Sequence, residues 1–339
     1  MNSQPILIVP YMWIGDFVRC HTVVRLLRER HPDCAIDMLT TPTAAPLLDY
    51  MPGVRKGVIV ELPRKRLALR HHRALAHRLR PQGYGRALIM PRTWKSALAP
   101  YLAGIPVRTG FPGEARFGLI NDLRFGERRL PRMVDRCAAL ALQKHEQPPA
   151  EWPLPQLCVP ASDVERWRER FAPADSRPAI AFAPGAVGPS KRWLAAHYAK
   201  AAAELVIEGH TVWIVGGPLE KELAAEISKG NPAFIRDLTG PDLRNAILAL
   251  AAARLVVSND SGLLHVAAAL GRPTIGIFGP TSPWHWAPLN PISAVLETST
   301  TLPCKPCHKP ICRLGHHRCM GDIAPEQVAA AIHRVLQST

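Results

Sequence analysis

The chain has 339 residues, 47% hydrophobic and 20% charged, a composition that excludes global disorder and leaves room for two buried cores. Lys and Arg number 42 against 27 Asp and Glu, so the net charge of +15 points to an anionic partner: nucleic acid, an acidic membrane face or a phosphorylated substrate. No apolar run reaches the roughly 18–20 residues of a membrane span, and eight cysteines are too sparse for a disulfide scaffold. Met1–Pro10 lacks the marks of a secretion signal, so a cytoplasmic protein with reduced thiols is expected.

In chain order, Ile6–Val9 reads as a buried strand and Phe17–Arg30 as a helix with Val18, Val23, Leu26 and Leu27 on one face. Strands follow at Ile36–Leu39 and Val58–Val60, a helix at Leu67–Arg80, a strand at Ala87–Met90, a helix at Lys95–Ala103 and a strand at Val107–Gly110. A proline-rich crossing between Glu146 and Pro178 carries a helix at Ser162–Phe171 and separates an expected domain 1–160 from a second, 161–339. Alternation then restarts. Strands are expected at Ala179–Phe182, Thr211–Val215, Phe234–Arg236, Leu255–Val257 and Thr274–Phe278. Helices are expected at Leu194–Glu208, Leu219–Lys229, Asp242–Ala252, Gly262–Leu270 and Pro325–Leu336. The pattern predicts an α/β protein of two doubly wound, Rossmann-like domains facing a central cleft, with ligands at the carboxyl ends of the strands.

Five loops fall at such ends. Gly15-Asp16 opens the first helix, where the carboxylate is either an N-cap or a base facing a ligand. Pro184-Gly185-Ala186 leads to the adjacent cations Lys191 and Arg192; Lys191 could balance a diphosphate or be a solvated surface charge. Gly216-Gly217 precedes Glu220, suited to ribose hydroxyls or to a helix first turn. Asn259-Asp260-Ser261-Gly262 leaves helix amides for an anion, with His265 one turn on. The fifth is Phe278-Gly279-Pro280-Thr281-Ser282-Pro283.

Two further features stand apart. From Leu62 to Arg80 the chain carries Arg64, Lys65, Arg66, Arg70, Arg73, Arg78 and Arg80 without an acid. Interleaved leucines and the lack of stacking aromatics favour anionic lipid headgroups over nucleic acid, with an ordinary solvated face as the alternative. Cys304-x2-Cys307-x4-Cys312-x6-Cys319 has four thiols that hold either a metal, a disulfide or nothing; the other four cysteines, Cys20, Cys34, Cys137 and Cys158, are expected as small packed groups.

The motifs together resemble the lipopolysaccharide heptosyltransferases of glycosyltransferase family 9, most closely the heptosyltransferase II branch. The resemblance rests on Ile14-Gly15-Asp16, Pro91-Arg92-Thr93-Trp94-Lys95-Ser96-Ala97, Ala103-Gly104-Ile105-Pro106, Arg108-Thr109-Gly110 and Leu119-Ile120-Asn121-Asp122. In the second half it rests on Pro184-Gly185-Ala186, Lys191-Arg192-Trp193, Asp260-Ser261-Gly262 with His265, the 278–283 loop and the cysteine cluster. It implies a GT-B fold, with the acceptor on the first domain and the nucleotide sugar on the second. It further implies inverting transfer from ADP-L-glycero-D-manno-heptose to the first heptose of Kdo2-lipid A. On that basis Asp16 is the expected base and Lys191 the diphosphate contact. Gly185, Glu220, Asp260, Ser261, Gly262 and His265 complete the donor side; Gly15, Lys95, Arg108, Arg64 and Arg66 form the acceptor side. No cofactor, catalytic metal or nucleic-acid partner is expected, and the enzyme is expected at the cytoplasmic face of the inner membrane, held by charge. Heptosyltransferase I, another GT-B nucleotide-sugar enzyme and a basic nucleic-acid-binding protein are the alternatives.

Overall fold

The computed structural model describes residues 4–61, 68–172 and 177–338, and the chain divides into two compact units at Gln156/Leu157, inside the proline-rich crossing. The first unit runs β1 (Ile6–Val9), α1 (Ile14–Arg19), α2 (His21–Arg30), β2 (Ile36–Thr40), α3 (Ala45–Leu48), β3 (Lys56–Ile59), α4 (Leu69–Leu79) and β4 (Arg86–Ile89). It continues through α5 (Trp94–Leu102), β5 (Val107–Gly110), β6 (Asp122–Leu123) and α6 (Met133–Ala139). The sheet order is β3-β2-β1-β4-β5-β6, all parallel. Every residue of β1 and β2 is buried, including Asp37 and Thr40 of β2, as expected of parallel strands covered on both faces.

The helix expected over Phe17–Arg30 is two helices joined at Cys20, whose buried sulfur lies 3.9 Å from that of Cys137. His21, opening α2, is buried and neutral. Its Nε2 bonds the Pro52 carbonyl at 2.8 Å, and its Nδ1 accepts the Gln156 amide at 3.0 Å. Burial pushes its pKa down to about 4.

The second unit runs α7 (Ala161–Phe171), β7 (Ala179–Ala183), α8 (Ala195–Ile207), β8 (Thr211–Ile214), α9 (Lys221–Ser228), β9 (Ile235–Asp237), α10 (Leu243–Ala252) and β10 (Leu255–Asn259). It ends with α11 (Gly262–Ala269), β11 (Thr274–Ile277), α12 (Pro283–Trp286), β12 (Ser293–Leu296), α13 (Arg318–Gly321) and α14 (Pro325–Gln337). Its parallel sheet has the order β12-β11-β10-β7-β8-β9, the same winding as the first. The core is centred on Phe182, Trp193, Tyr198, Ile214 and Val257, with Val328 and Ile332 of α14 closing one side. Burial of Trp193 is matched by a hydrogen bond from its indole Nε1 to the Ile323 carbonyl at 2.9 Å.

The short elements α3, β6, α12, β12 and α13 are absent from the sequence expectation because none spans enough residues to show a period. Of the four scattered cysteines, Cys20, Cys34 and Cys137 are buried as expected, whereas Cys158 is exposed.

Candidate active site

In a doubly wound sheet the strand order reverses once, and the two loops leaving that point diverge to make a crevice. The reversal lies between β1 and β4 in the first unit and between β7 and β10 in the second. Gly15 and Asp16 follow β1, Lys95 follows β4, Gly185 and Lys191 follow β7 and Asp260 to Gly262 follow β10, whereas Glu220 follows β8 and Arg108 lies within β5.

At the reversal of the second unit, Lys191 leaves the β7 loop and Asp260 the β10 loop, and they meet with Nζ to Oδ2 at 2.7 Å. Thr281, from the loop after β11, donates its hydroxyl to the same Asp260 oxygen at 2.8 Å. Lys191 is therefore a held cation rather than a solvated charge: its side chain is 28% exposed and that of Asp260 8%. An ammonium has three donors, so binding Asp260 leaves capacity for a ligand anion. The neighbouring Asn259 is buried and fixes the geometry. Its Oδ1 accepts from the Trp193 amide at 3.1 Å and the Tyr198 hydroxyl at 3.2 Å, and its Nδ2 donates to the Pro184 carbonyl at 2.6 Å. These three bonds tie the β7 loop to the end of β10.

Ser261 stands extended before α11, and its side chain makes no cap bond; its hydroxyl pairs instead with that of Ser258 at 3.1 Å. The first amides of α11 thus open without a side-chain cap beside the Lys191–Asp260 pair, an arrangement suited to an anion. His265 is buried on α11, as a residue packed within the unit. Glu220 bonds the Gly217 amide through Oε2 at 2.9 Å, which fixes its carboxylate at the end of β8. A Cβ at Gly185 would stand 2.7 Å from the Glu220 side chain, so only glycine lets the β7 loop pass this carboxylate.

In the first unit, Asp16 occupies the third position of α1, and Trp13 is the N-cap residue. The N-cap alternative for Asp16 is thus corrected. Asp16 accepts from Arg19 at 3.1 Å; its side chain is 23% exposed, while that of Arg19 is 5% exposed. Gly15, before it, is buried. Burial drives the Tyr11 phenol well above its ordinary range, so it stays protonated. Asp37, the other buried acid of this sheet, spends both oxygens on Arg55, at 2.8 and 2.7 Å, and on the Tyr84 hydroxyl. That arrangement is structural.

Lys95 lies half-buried in the first turn of α5, at the end of β4. Arg108 directs its guanidinium at the carbonyls of Leu119 (2.7 Å), Gly118 (3.4 Å) and Ile105, and over the Tyr101 ring, so it braces the loops around it. Arg64 and Arg66 lie outside the described residues. Sequence reasoning missed Arg116, a buried guanidinium on the carbonyls of Pro91 (2.6 Å) and Phe111 (3.0 Å) and on the Ser96 hydroxyl (3.0 Å). It joins the conspicuous 91–97 block to the loop after β5. No acid pairs with it in these bonds, and burial lowers its pKa. It also missed Thr281 and Asn259 as partners. Their types carry no chemical signature, and only the fold brings them to the site.

The 304–319 loop abuts the turns that carry Ser190 and Pro280. Ser190 donates its amide to the Pro310 carbonyl at 3.1 Å and its hydroxyl to that of Lys309, and His317 bonds the Ser190 carbonyl at 2.8 Å. The amides of Cys307 and His308 reach the Pro280 carbonyl at 3.0 and 2.9 Å. Among the described residues no three His, Cys, Asp or Glu side chains are drawn into a closed ion cage.

Comparison with known proteins gives the site its context. A family model described as glycosyltransferase family 9 (heptosyltransferase) matches residues 72–317. The lipopolysaccharide heptosyltransferase 2 of Escherichia coli K12 is 36% identical over 345 residues, covering 98% of each chain. The lipopolysaccharide heptosyltransferase 1 of Pseudomonas aeruginosa is 27% identical over 323 residues, covering 91% of this chain and 87% of its own. The solved structure of the E. coli ADP-heptose lps heptosyltransferase II superposes with a TM-score of 0.86 at 34% identity, over 98% of this chain and 99% of that one.

Proposed function

The chain belongs to glycosyltransferase family 9, the heptosyltransferases, with a GT-B pair of doubly wound units, and from that membership we propose that it performs the second heptosyl transfer of the lipopolysaccharide inner core. The donor is ADP-L-glycero-D-manno-heptose and the acceptor the first heptose on Kdo2-lipid A. The observation that carries this reading is the pairing of Lys191 with Asp260, two residues before the uncapped first turn of α11, at the strand reversal of the second unit. A diphosphate placed there gains one cation and a set of backbone amides.

The chemistry follows from these groups. Asp16 takes the proton of the acceptor hydroxyl as that oxygen bonds the anomeric carbon, and the bond from that carbon to ADP breaks with inversion. Negative charge grows on the leaving diphosphate, where Lys191 and the α11 amides stabilise it more in the transition state than in the ground state. Asp260 and Thr281 hold the ammonium in place, and Glu220, anchored by Gly217, faces the ribose hydroxyls. Lys95, and Arg64 and Arg66 beyond the described residues, supply positive charge for the phosphates and carboxylates of the acceptor.

No helix among the described residues is long and apolar enough to cross a membrane. Peripheral attachment by charge is part of the same proposal. On α4, Leu75 and Leu79 are buried in the core while Arg70 and Arg73 face outward, which supports attraction to anionic headgroups rather than insertion of an apolar face. The reading is tested by ADP release with purified acceptors. Heptosyl-Kdo2-lipid A should support turnover and Kdo2-lipid A without heptose should not; the reverse preference would assign the first transfer instead.

A further inference from the structure

Arg19 is the last residue of α1, and its side chain is 5% exposed against 23% for Asp16, three residues earlier. Ion pairs at this helical spacing usually lie in solvent, where they contribute little. Here the cation is the buried member and the carboxylate the one that reaches the surface. A guanidinium keeps its charge at any working pH, so burying it is costly unless opposite charge is held against it.

Packing fixes the guanidinium from behind. Its Nη1 donates to Asp16 Oδ1 at 3.1 Å and lies 4.0 Å from the sulfur of Met133, itself buried at the start of α6. One turn further along α6, the Cys137 sulfur lies 3.9 Å from that of Cys20, the residue after Arg19. Phe17 and Val18, between the two charged residues, are buried in the unit. The end of α1 is thus fastened to α6, and Arg19 is held at a fixed place beneath the Asp16 carboxylate.

We propose that Arg19 is a positioning residue for the transfer reaction: it acts through Asp16, setting the direction in which the carboxylate meets the acceptor hydroxyl and keeping positive charge behind it. The proposal rests on Asp16 being the base. A base works only when its oxygen is deprotonated and correctly aimed, and a small misplacement costs much of the rate. The acceptor proton passes to Asp16, and Arg19 keeps its charge throughout. The neighbouring groups are already committed. A hydrogen bond with Cys20 and burial keep the Cys137 thiol protonated, and burial does the same for Tyr11. Asp135 of α6 is bound by Arg132 and by the Trp152 indole, Glu127 pairs with Arg92, and His21 of α2 is neutral.

The experiment compares Arg19→Met, Arg19→Lys, Asp16→Asn and the double change Asp16→Asn with Arg19→Met in the full chain. ADP release is followed from pH 5 to 9 with an acceptor that supports turnover in the parent, and rates are counted per folded chain from circular dichroism. Arg19→Met should lower kcat roughly 10-fold or more with the donor KM and ADP affinity unchanged. The acid limb of its kcat/KM profile should move to higher pH. Arg19→Lys, which restores the charge, should return that limb toward the parent while recovering only part of kcat. In the Asp16→Asn background, Arg19→Met should change turnover less than about twofold, because the two residues act as one unit. If Arg19→Met does not fold, Arg19→Gln carries the same test. A neutral Arg19 variant with the parent's kcat and pH profile, alongside an inactive Asp16→Asn, would overturn this proposal alone. So would losses that simply multiply in the double variant. Full turnover in Asp16→Asn would instead remove the base reading, and this proposal with it.

Discussion

The two units share one winding and differ in how their reversal loops are equipped. In the second unit Lys191, Asp260 and Thr281 are joined by short hydrogen bonds across three loops and Asn259 ties the β7 loop to the end of β10, so the proposed anion site is held by its own side chains. In the first, Arg19 pairs with Asp16, Arg116 ties the 91–97 block to the loop after β5 and Arg108 braces the 105–119 loops, while two of the expected acceptor cations lie in the 62–67 stretch outside the described residues. A single, unvarying nucleotide-sugar donor, as proposed, suits a site held together before it arrives. On the proposed function, the difference teaches that one fold serves two kinds of ligand through its loops, not its sheets.

The largest effect should come from the first unit. Asp16→Asn keeps the size of the side chain but removes the proposed base, so turnover should fall at least ~100-fold while ADP affinity stays unchanged. Steady-state ADP release and calorimetric titration check the two halves of that statement. Near-normal turnover would leave Asp16 as a partner of Arg19 only.

Next comes the second unit. Lys191→Ala removes the cation and leaves the Asp260 carboxylate facing the diphosphate. ADP affinity should drop on the order of 10–100-fold, with adenosine much less affected. Equal losses for both ligands would mean that the β7 loop had collapsed.

A third test separates the units by pH. The folded pKa of His21 is lowered to about 4 from 6.5, so its contribution to stability is fully present above pH 6.5 and is lost as pH falls toward 4. Protonation turns Nδ1 into a donor facing the Gln156 amide. The first unit should lose up to about 3 kcal/mol across that window, read as a falling Tm. His21→Asn should flatten this dependence. An unchanged pH profile in the variant would show that His21 does not carry the effect.

The smallest effect is at the surface. Changing Arg64, Lys65 and Arg66 to Gln removes attraction of about 1 kcal/mol per residue near an anionic leaflet. Binding to vesicles containing anionic lipid should weaken and should already be salt-sensitive in the parent. Binding indifferent to both salt and substitution would make this stretch an ordinary solvated face.

Much of the fold was legible from the sequence. Continuous apolar runs such as Ile6–Val9 and Ala179–Ala183 admit little besides buried parallel strands, and the helices between them keep their period. The residues of the proposed donor site were legible because Lys191, Asp260 and Glu220 are chemically conspicuous at strand ends. Their pairing was not, since nothing in the spacing says that Lys191 will meet Asp260 rather than solvent. Arg116 was missed for a related reason: its partners are backbone carbonyls, which leave no mark in a sequence. Short elements such as β6 and β12 are set by their neighbours in the sheet rather than by their own pattern.

Hydrogen exchange of the whole chain with and without ADP tests the division of labour most directly. Protection should appear at 184–193, 216–220, 259–265 and 279–282, in the loops of the second unit, and not at Tyr11–Asp16. Protection centred on the loops after β1 and β4, with the Lys191 and Asp260 segments unchanged, would contradict it.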